Sequence, residues 1–157
     1  MSSLRKVMSM KLPSKTEQRK LPYRLTKRQM KKMYKMLNEE LFNNRLPAAK
    51  LVVKKQMKNA LGTCEGHFLL PADGKKSSCE IALVERWYCK QWSVIVLAHE
   101  MVHQYQWDIY SKNRKNRVMS HGPSFIKFRK KFERKGIPLL RYMTTSRWFK
   151  TQNFFRL

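Results

Sequence analysis

Residues 91–107 read QWSVIVLAHEMVHQYQW, and this stretch decides the fold. Val94, Leu97, Ala98, Met101 and Tyr105 recur at helical spacing on one face, and Ile95, Val96 and Val102 widen that face. A helix that is apolar almost all round belongs at the buried centre of a domain. Three residues that can carry a charge near neutral pH stand inside this pattern: His99, Glu100 and His103. Buried polar groups need partners, so each of the three requires an explanation.

Upstream, a second helix is expected from Thr26 to about Phe42. Thr26 and Gln29 form a capping box, and Leu25 with Met30 form a hydrophobic staple. Met30, Met33, Tyr34, Leu37 and Leu41 supply its core face, and Asn43, Asn44 and Pro47 end it. Between the two helices the chain reads as strands. Leu51-Val52-Val53 sits between lysines, Ala60 to Leu70 carries Gly62, Thr63 and Gly66, and Cys79 to Val84 alternates. Pro71-Ala72-Asp73-Gly74 is a turn signal. Downstream, a long helix is expected from Pro123, with Phe125, Phe128 and Phe132 inward and Gly136 and Pro138 as the stop. The expected fold class is α+β: a small antiparallel sheet packed on the central helix and flanking helices.

The charge divides the chain differently. Thirty-five Lys and Arg against ten Asp and Glu give a net charge of +25 in 157 residues. Residues 1–35 hold 12 basic and 1 acidic residue, residues 36–98 hold 9 and 6, and residues 99–157 hold 14 and 3. The excess sits at the two ends. So much charge of one sign repels itself unless a polyanion is near, and nucleic acid is the leading partner. Residues 1–22, with Pro13 and Pro22, read as a basic mobile arm; residues 23–145 as the folded domain; residues 146–157 as a basic and aromatic tail. The tail aromatics Trp148, Phe149, Phe154 and Phe155 either stack on unpaired bases or dock the tail onto the core. Lys112, Arg114, Lys115 and Arg117 in a loop, and Lys127, Lys130, Lys131 and Arg134 on the last helix, are the candidate phosphate-binding residues.

No run of about 18 apolar residues exists, so no membrane-spanning helix is expected. The N-terminus lacks the apolar core of a secretory signal. Cys64, Cys79 and Cys89 are odd in number and form no CxxC, which argues against a disulfide framework or a four-cysteine ribbon. Buried thiols in a reducing cytoplasm fit them better.

His99, Glu100 and His103 spell HExxH. Two His at i and i+4 stand one turn apart on one face, so both imidazoles reach one ion. Glu100 lies about 100° round the helix, off the metal but within reach of the attacking water, which is the placement of a general base. Random placement in this composition gives about 0.004 such matches. A catalytic Zn²⁺ needs a third protein ligand, and only His67 and His121 remain. His121 stands at a loop-to-helix junction in Ser120-His121-Gly122-Pro123, held firmly yet free to project; His67 lies among the strands. Tyr105 and Tyr110 are candidates to stabilise an oxyanion. Strand 60–70 or 79–84 could hold a substrate backbone by edge pairing.

Taken in order, these segments resemble the SprT-like zinc metalloprotease domain, the family that includes the Spartan DNA–protein crosslink proteases. The matching segments are Leu41-Phe42-Asn43-Asn44-Arg45-Leu46, Leu51-Val52-Val53, Gly62-Thr63-Cys64, Cys79-Glu80-Ile81-Ala82-Leu83, His99-Glu100-Met101-Val102-His103 and His121-Gly122-Pro123-Ser124-Phe125. HExxH followed by a separate HGP-x-F is far more specific than HExxH alone. The resemblance covers about residues 26–145. It implies a compact zincin-like α+β domain, one Zn²⁺ per chain held by His99, His103 and His121, and Glu100 as the catalytic glutamate. It also implies a protein substrate, often one bound or crosslinked to DNA. These 157 residues hold no CxxC pair for the C-terminal cysteine ribbon of many members, so the basic ends are expected to supply DNA binding. The expectation is a cytoplasmic monomer with no membrane partner, held at the nucleoid or acting in a host cell if phage-encoded. A nucleic-acid-binding protein with a structural or non-catalytic zinc site is the alternative.

Overall fold

The computed structural model describes residues 2–66, 76–111 and 119–152. The central helix, α4, runs Lys90–Tyr105, and every residue from Gln91 to Tyr105 is buried. It continues into a single π-helical turn, Gln106–Tyr110, closed by the Ser111 amide donating to the Gln106 carbonyl. Among the described residues, no helix is long and apolar enough to cross a membrane.

Helix α3, Lys27–Phe42, starts on the expected capping box. The Thr26 hydroxyl accepts from the Gln29 amide at 3.2 Å, and the Gln29 side chain accepts from the Thr26 amide at 2.9 Å. It ends at Asn43 (φ 53°) and Asn44 (φ 58°), left-handed positions that asparagine tolerates. The α3 and α4 helices are tied by buried polar side chains. The Tyr34 hydroxyl donates to Gln104 Oε1 at 2.8 Å, and Gln104 Nε2 donates to the Pro47 carbonyl at 2.7 Å.

The sheet holds β2 (Ala48–Lys54), β3 (Gly62–Gly66) and β4 (Lys76–Val84) in the order β2-β4-β3. Here the expectation of an antiparallel sheet is corrected: β3 and β4 are antiparallel, but β2 and β4 are parallel. The chain reverses from β2 into β3 and again into β4, and β4 inserts between them, so it must run with β2. Alternation along a strand reveals its faces, not its neighbours. A second pair, β1 (Tyr23–Arg24) and β5 (Arg86–Trp87), closes the base of α3 and α4.

Two glycines set how close β3 comes to α4 and the π turn. A Cβ on Gly62 would lie 2.8 Å from Val96 and 3.4 Å from Glu100. A Cβ on Gly66 would lie 2.2 Å from the buried Trp107 ring. Gly66→Ala should therefore cost about 1–3 kcal/mol by overpacking, read in a thermal melt as about 2–4 °C per kcal/mol for a chain of this size. An unchanged Tm would mean that Trp107 does not cover β3.

Residues 1–22, expected to be a mobile arm, fold into α1 (Ser3–Met8) and α2 (Lys15–Arg19). Leu4 and Met8 are buried, the Leu4 amide donates to Glu40 at 2.8 Å, and Gln91 donates to the Met10 carbonyl at 2.8 Å. Leu4, Val7 and Met8 do follow helical spacing, but over one turn only, too short to read as a period. Helix α7, Thr145–Thr151, meets this segment. Trp148 is fully buried, its ring stacked on Trp92 at 5.1 Å and its indole N–H donating to Gln18 at 2.8 Å. Of the two readings of the tail aromatics, docking holds for Trp148; Phe149 lies between Tyr88 and Arg19. Phe154 and Phe155 fall outside the described residues, as do His67 and the turn at 71–74.

The expected long helix from Pro123 is instead two short ones, α5 (Pro123–Ile126) and α6 (Arg129–Arg134). The chain tightens between them, where the Phe128 amide bonds the Phe125 carbonyl three residues back. The break lets Phe125 and Phe128 serve different clusters. Phe125 lies under the imidazoles described next, and Phe128 packs on Phe42 and Tyr105. Cys79 and Cys89 are buried free thiols, and Cys64 is half-buried.

Candidate metal centre

Helix α4 carries His99 and His103 one turn apart. The loop before α5 brings His121 to them, although it lies 18 positions beyond His103 in the chain. The three Nε2 atoms form a triangle with 3.2 Å sides. Each pair stands at hydrogen-bond distance, yet the His99 and His103 rings cannot satisfy one another. His99 Nδ1 donates to the Leu140 carbonyl at 2.7 Å. A carbonyl only accepts, so the proton of a neutral His99 is on Nδ1 and its Nε2 is a bare lone pair. His103 Nδ1 donates to Gln106 Oε1 at 2.8 Å, so its Nε2 is a lone pair as well. Lone pairs aimed at one point repel unless a cation sits between them. The donor set is one that could hold a metal ion.

The rings are fixed from below and behind. Phe125, fully buried, lies 4.8 Å from the His99 ring, 5.1 Å from His103 and 4.9 Å from His121. This gives the aromatic residue of the HGP-x-F segment a physical role as the floor of the site. Gln106 does the rest. Its oxygen accepts from His103 at 2.8 Å and from the Ser120 amide at 3.1 Å. Its nitrogen donates to the Ser120 carbonyl and the Ser124 hydroxyl, both at 2.8 Å. One buried amide thus joins the helix that carries two histidines to the loop that carries the third. The π turn aims it there, and such turns recur at functional sites.

Electrostatics keeps the imidazoles neutral. Burial and the neighbouring His103 push the pKa of His99 down to about 3. Burial also lowers His103, and burial with the Arg141 charge lowers His121. Neutral imidazole is the form that binds metal. Glu100 is 7% exposed beside them, and burial raises its pKa to about 8.

A pH dependence follows for the metal-free protein. An unfolded carboxyl titrates near 4.5 and the folded one near 8. Below 4.5 both states hold the proton and Glu100 carries no penalty. As pH rises towards 8, the unfolded state releases its proton first, so stability falls, and it levels off above 8. Glu100→Gln removes this titration and leaves the histidines alone. The gap in Tm between the Gln variant and the native chain should widen from about pH 5 to about pH 8 in melts with a chelator. A constant gap would mean that Glu100 is solvated.

The structure brings His99, Glu100, His103 and His121 together. It separates the other candidates. The Tyr105 hydroxyl accepts from Lys127 at 3.2 Å, with its ring packed against Phe42 and Phe128. Tyr110 is exposed beside Lys127. The phenol that does lie against the triad is Tyr142, whose ring centroid is 5.8 Å from that of His121. Sequence reasoning misses both Tyr142 and Gln106. The signal for Gln106 is one more polar residue in a buried helix, and Tyr142 has none. Lys127, Lys130 and Arg134 are exposed, and Lys131 is half-buried, its pKa lowered by burial and by Lys135 and Arg45. Lys112, Arg114, Lys115 and Arg117 lie outside the described residues. Of the two strands considered for substrate, β4 is paired on both sides and β3 on one, so β3 has an open edge among the described strands.

Among curated proteins, none matches the chain. The family model described as SprT-like matches residues 30–144, from the first turn of α3 to the loop before α7. That span contains the whole three-stranded sheet, α4, the histidine triangle and its Phe125 floor, and the chain belongs to the SprT-like family.

Proposed function

We infer that the protein is a zinc-dependent endopeptidase that is recruited to DNA and cleaves DNA-bound or DNA-crosslinked proteins. The observation that carries this reading is the triangle of imidazole nitrogens with a buried carboxylate at its side. Nitrogens 3.2 Å apart fit tetrahedral Zn²⁺, whose bonds of about 2.0 Å put two ligands about 3.3 Å apart. His99, His103 and His121 would hold the ion. When bound, it would supply a Lewis acid for the scissile carbonyl and make water acidic enough to attack near neutral pH. Glu100, whose carboxylate form the charge of the cation would favour, takes the proton of the attacking water and returns it to the leaving amine. The open edge of β3 lines up with α4 at Gly62, beside Glu100, and supports a substrate strand paired along it.

The recruitment to DNA rests on charge. The ion pairs Arg24–Glu85 and Lys50–Glu80 lie at the surface, and the +25 is what remains after every acidic residue has been set against a basic one. The same charge favours the second reading, a nucleic-acid-binding protein whose zinc is not catalytic. One experiment separates them: zinc content of the purified chain, then cleavage of a DNA-bound basic protein with and without single-stranded DNA. One zinc per chain with DNA-stimulated cleavage supports the peptidase. Zinc and DNA binding with no cleavage supports the binding module.

A further inference from the structure

Beside the histidine triangle lies a cavity of about 240 Å³, lined by Arg129, Leu139, Leu140, Arg141, Tyr142 and Arg147. Half of these side chains are arginines and none is acidic. Among the described residues, none of the three guanidinium groups is paired with a carboxylate. Three unpaired positive charges around one cavity repel each other, and a fork of guanidinium donors matches the oxygens of a phosphate. The cavity also shares its wall with the metal centre. The Leu140 carbonyl holds His99, and the Tyr142 ring meets His121 edge-on. Tyr142 is 60% exposed, so most of its face remains open at the rim.

We propose that this cavity is a phosphate site for a single-stranded nucleic acid, with Arg129, Arg141 and Arg147 holding one or two backbone phosphates and Tyr142 stacking on an unpaired base. The inference rests on the nucleic-acid part of the reading above and makes it local: the strand passes along the rim of the metal centre, not merely over a diffuse basic surface. An open aromatic face favours unpaired bases over duplex, since every base has a face to stack when it is free. The wall shared with His99 and His121 places a protein attached to that strand next to the site of cleavage.

The test is the affinity of a fluorescent oligothymidylate, read by anisotropy over a range of salt, for the full chain loaded with zinc. Arg141→Glu with Arg147→Glu should weaken binding at least about tenfold. The same pair should lower the slope of log affinity against log salt by about 1.4, or about 0.7 for each phosphate that is no longer neutralised. Lys31→Glu with Lys35→Glu, on the exposed side of α3, makes the same change in net charge and should do far less. Tyr142→Ala should weaken binding about tenfold while Tyr142→Phe keeps it. Arg147→Ala alone, at an exposed side chain, keeps the test usable if the double reversal fails to fold or to retain zinc. Equal weakening by the arginine and lysine pairs would overturn the proposal while leaving DNA binding intact. A native chain that binds no strand at all would overturn the DNA reading with it. If the arginine pair instead abolishes binding of a glutamate-rich peptide and spares the oligonucleotide, the cavity reads an acidic polypeptide and the proposal is wrong.

Discussion

Replacing Glu100 by Gln should lower kcat/KM for protein cleavage by about 10²- to 10⁴-fold, the range that a positioned general base contributes. The zinc content should not change. The amide keeps the size of the carboxylate, and Glu100 is not among the three side chains whose nitrogens converge. Two simpler explanations of an inactive variant are separable. If the variant merely unfolded, its Tm would drop. The burial that raises the Glu100 pKa predicts the reverse above about pH 5 in the metal-free chain, because Gln carries no charge to desolvate. If the variant failed to hold its metal, zinc analysis would reveal it. A variant that keeps both fold and zinc and still cleaves at the native rate would sink the assignment of Glu100, and with it the mechanism.

The parts of this site that are legible in the sequence are those that depend on local spacing. His99, Glu100 and His103 can be read because period 3.6 fixes which side chains of a buried helix share a face, and His99 and His103 do meet at 3.2 Å. The start of α3 is legible for the same reason: a capping box is a short-range device. What is not legible depends on pairing over distance. The order β2-β4-β3 follows from where β4 inserts, and no local pattern encodes that. Counting narrows the third ligand to two histidines, but bringing His121 to the helix depends on Gln106 and Phe125, which act across the fold. The N-terminal helices escape a sequence reading because their apolar residues matter only once Glu40, Gln91 and Trp148 are beside them. Tyr142 reaches His121 only because the segment after α6 folds back so that the Leu140 carbonyl caps His99.

Gln106 is where the distant parts of the site are joined, and Gln106→Leu should weaken zinc binding by about 10- to 100-fold, the usual cost of removing a partner behind a metal ligand. The variant keeps the volume of the side chain, so it opens no cavity. It removes the acceptor that fixes the His103 proton on Nδ1, and it releases the Ser120 backbone from α4. Both changes act on ligands: one frees the His103 ring to turn or to take the wrong tautomer, the other lets His121 move. Stability should also fall, because the buried His103 Nδ1–H is left without its acceptor, at about 1–3 kcal/mol for such an unsatisfied group. A fall in stability alone is therefore not diagnostic, and the comparison with Gly66→Ala resolves it. That variant strains the packing of β3 on Trp107 and should lower Tm without changing the zinc dissociation constant measured against a competing chelator. Gln106→Glu supplies a second control, since a carboxylate still accepts from His103 but cannot donate to the Ser120 carbonyl or the Ser124 hydroxyl. It should recover part of the affinity if orientation of His103 is the larger effect, and little if tethering of His121 is. Native zinc affinity in Gln106→Leu would mean that the triangle is held by Phe125 and the Leu140 carbonyl alone, and that the π turn has no part in building the site.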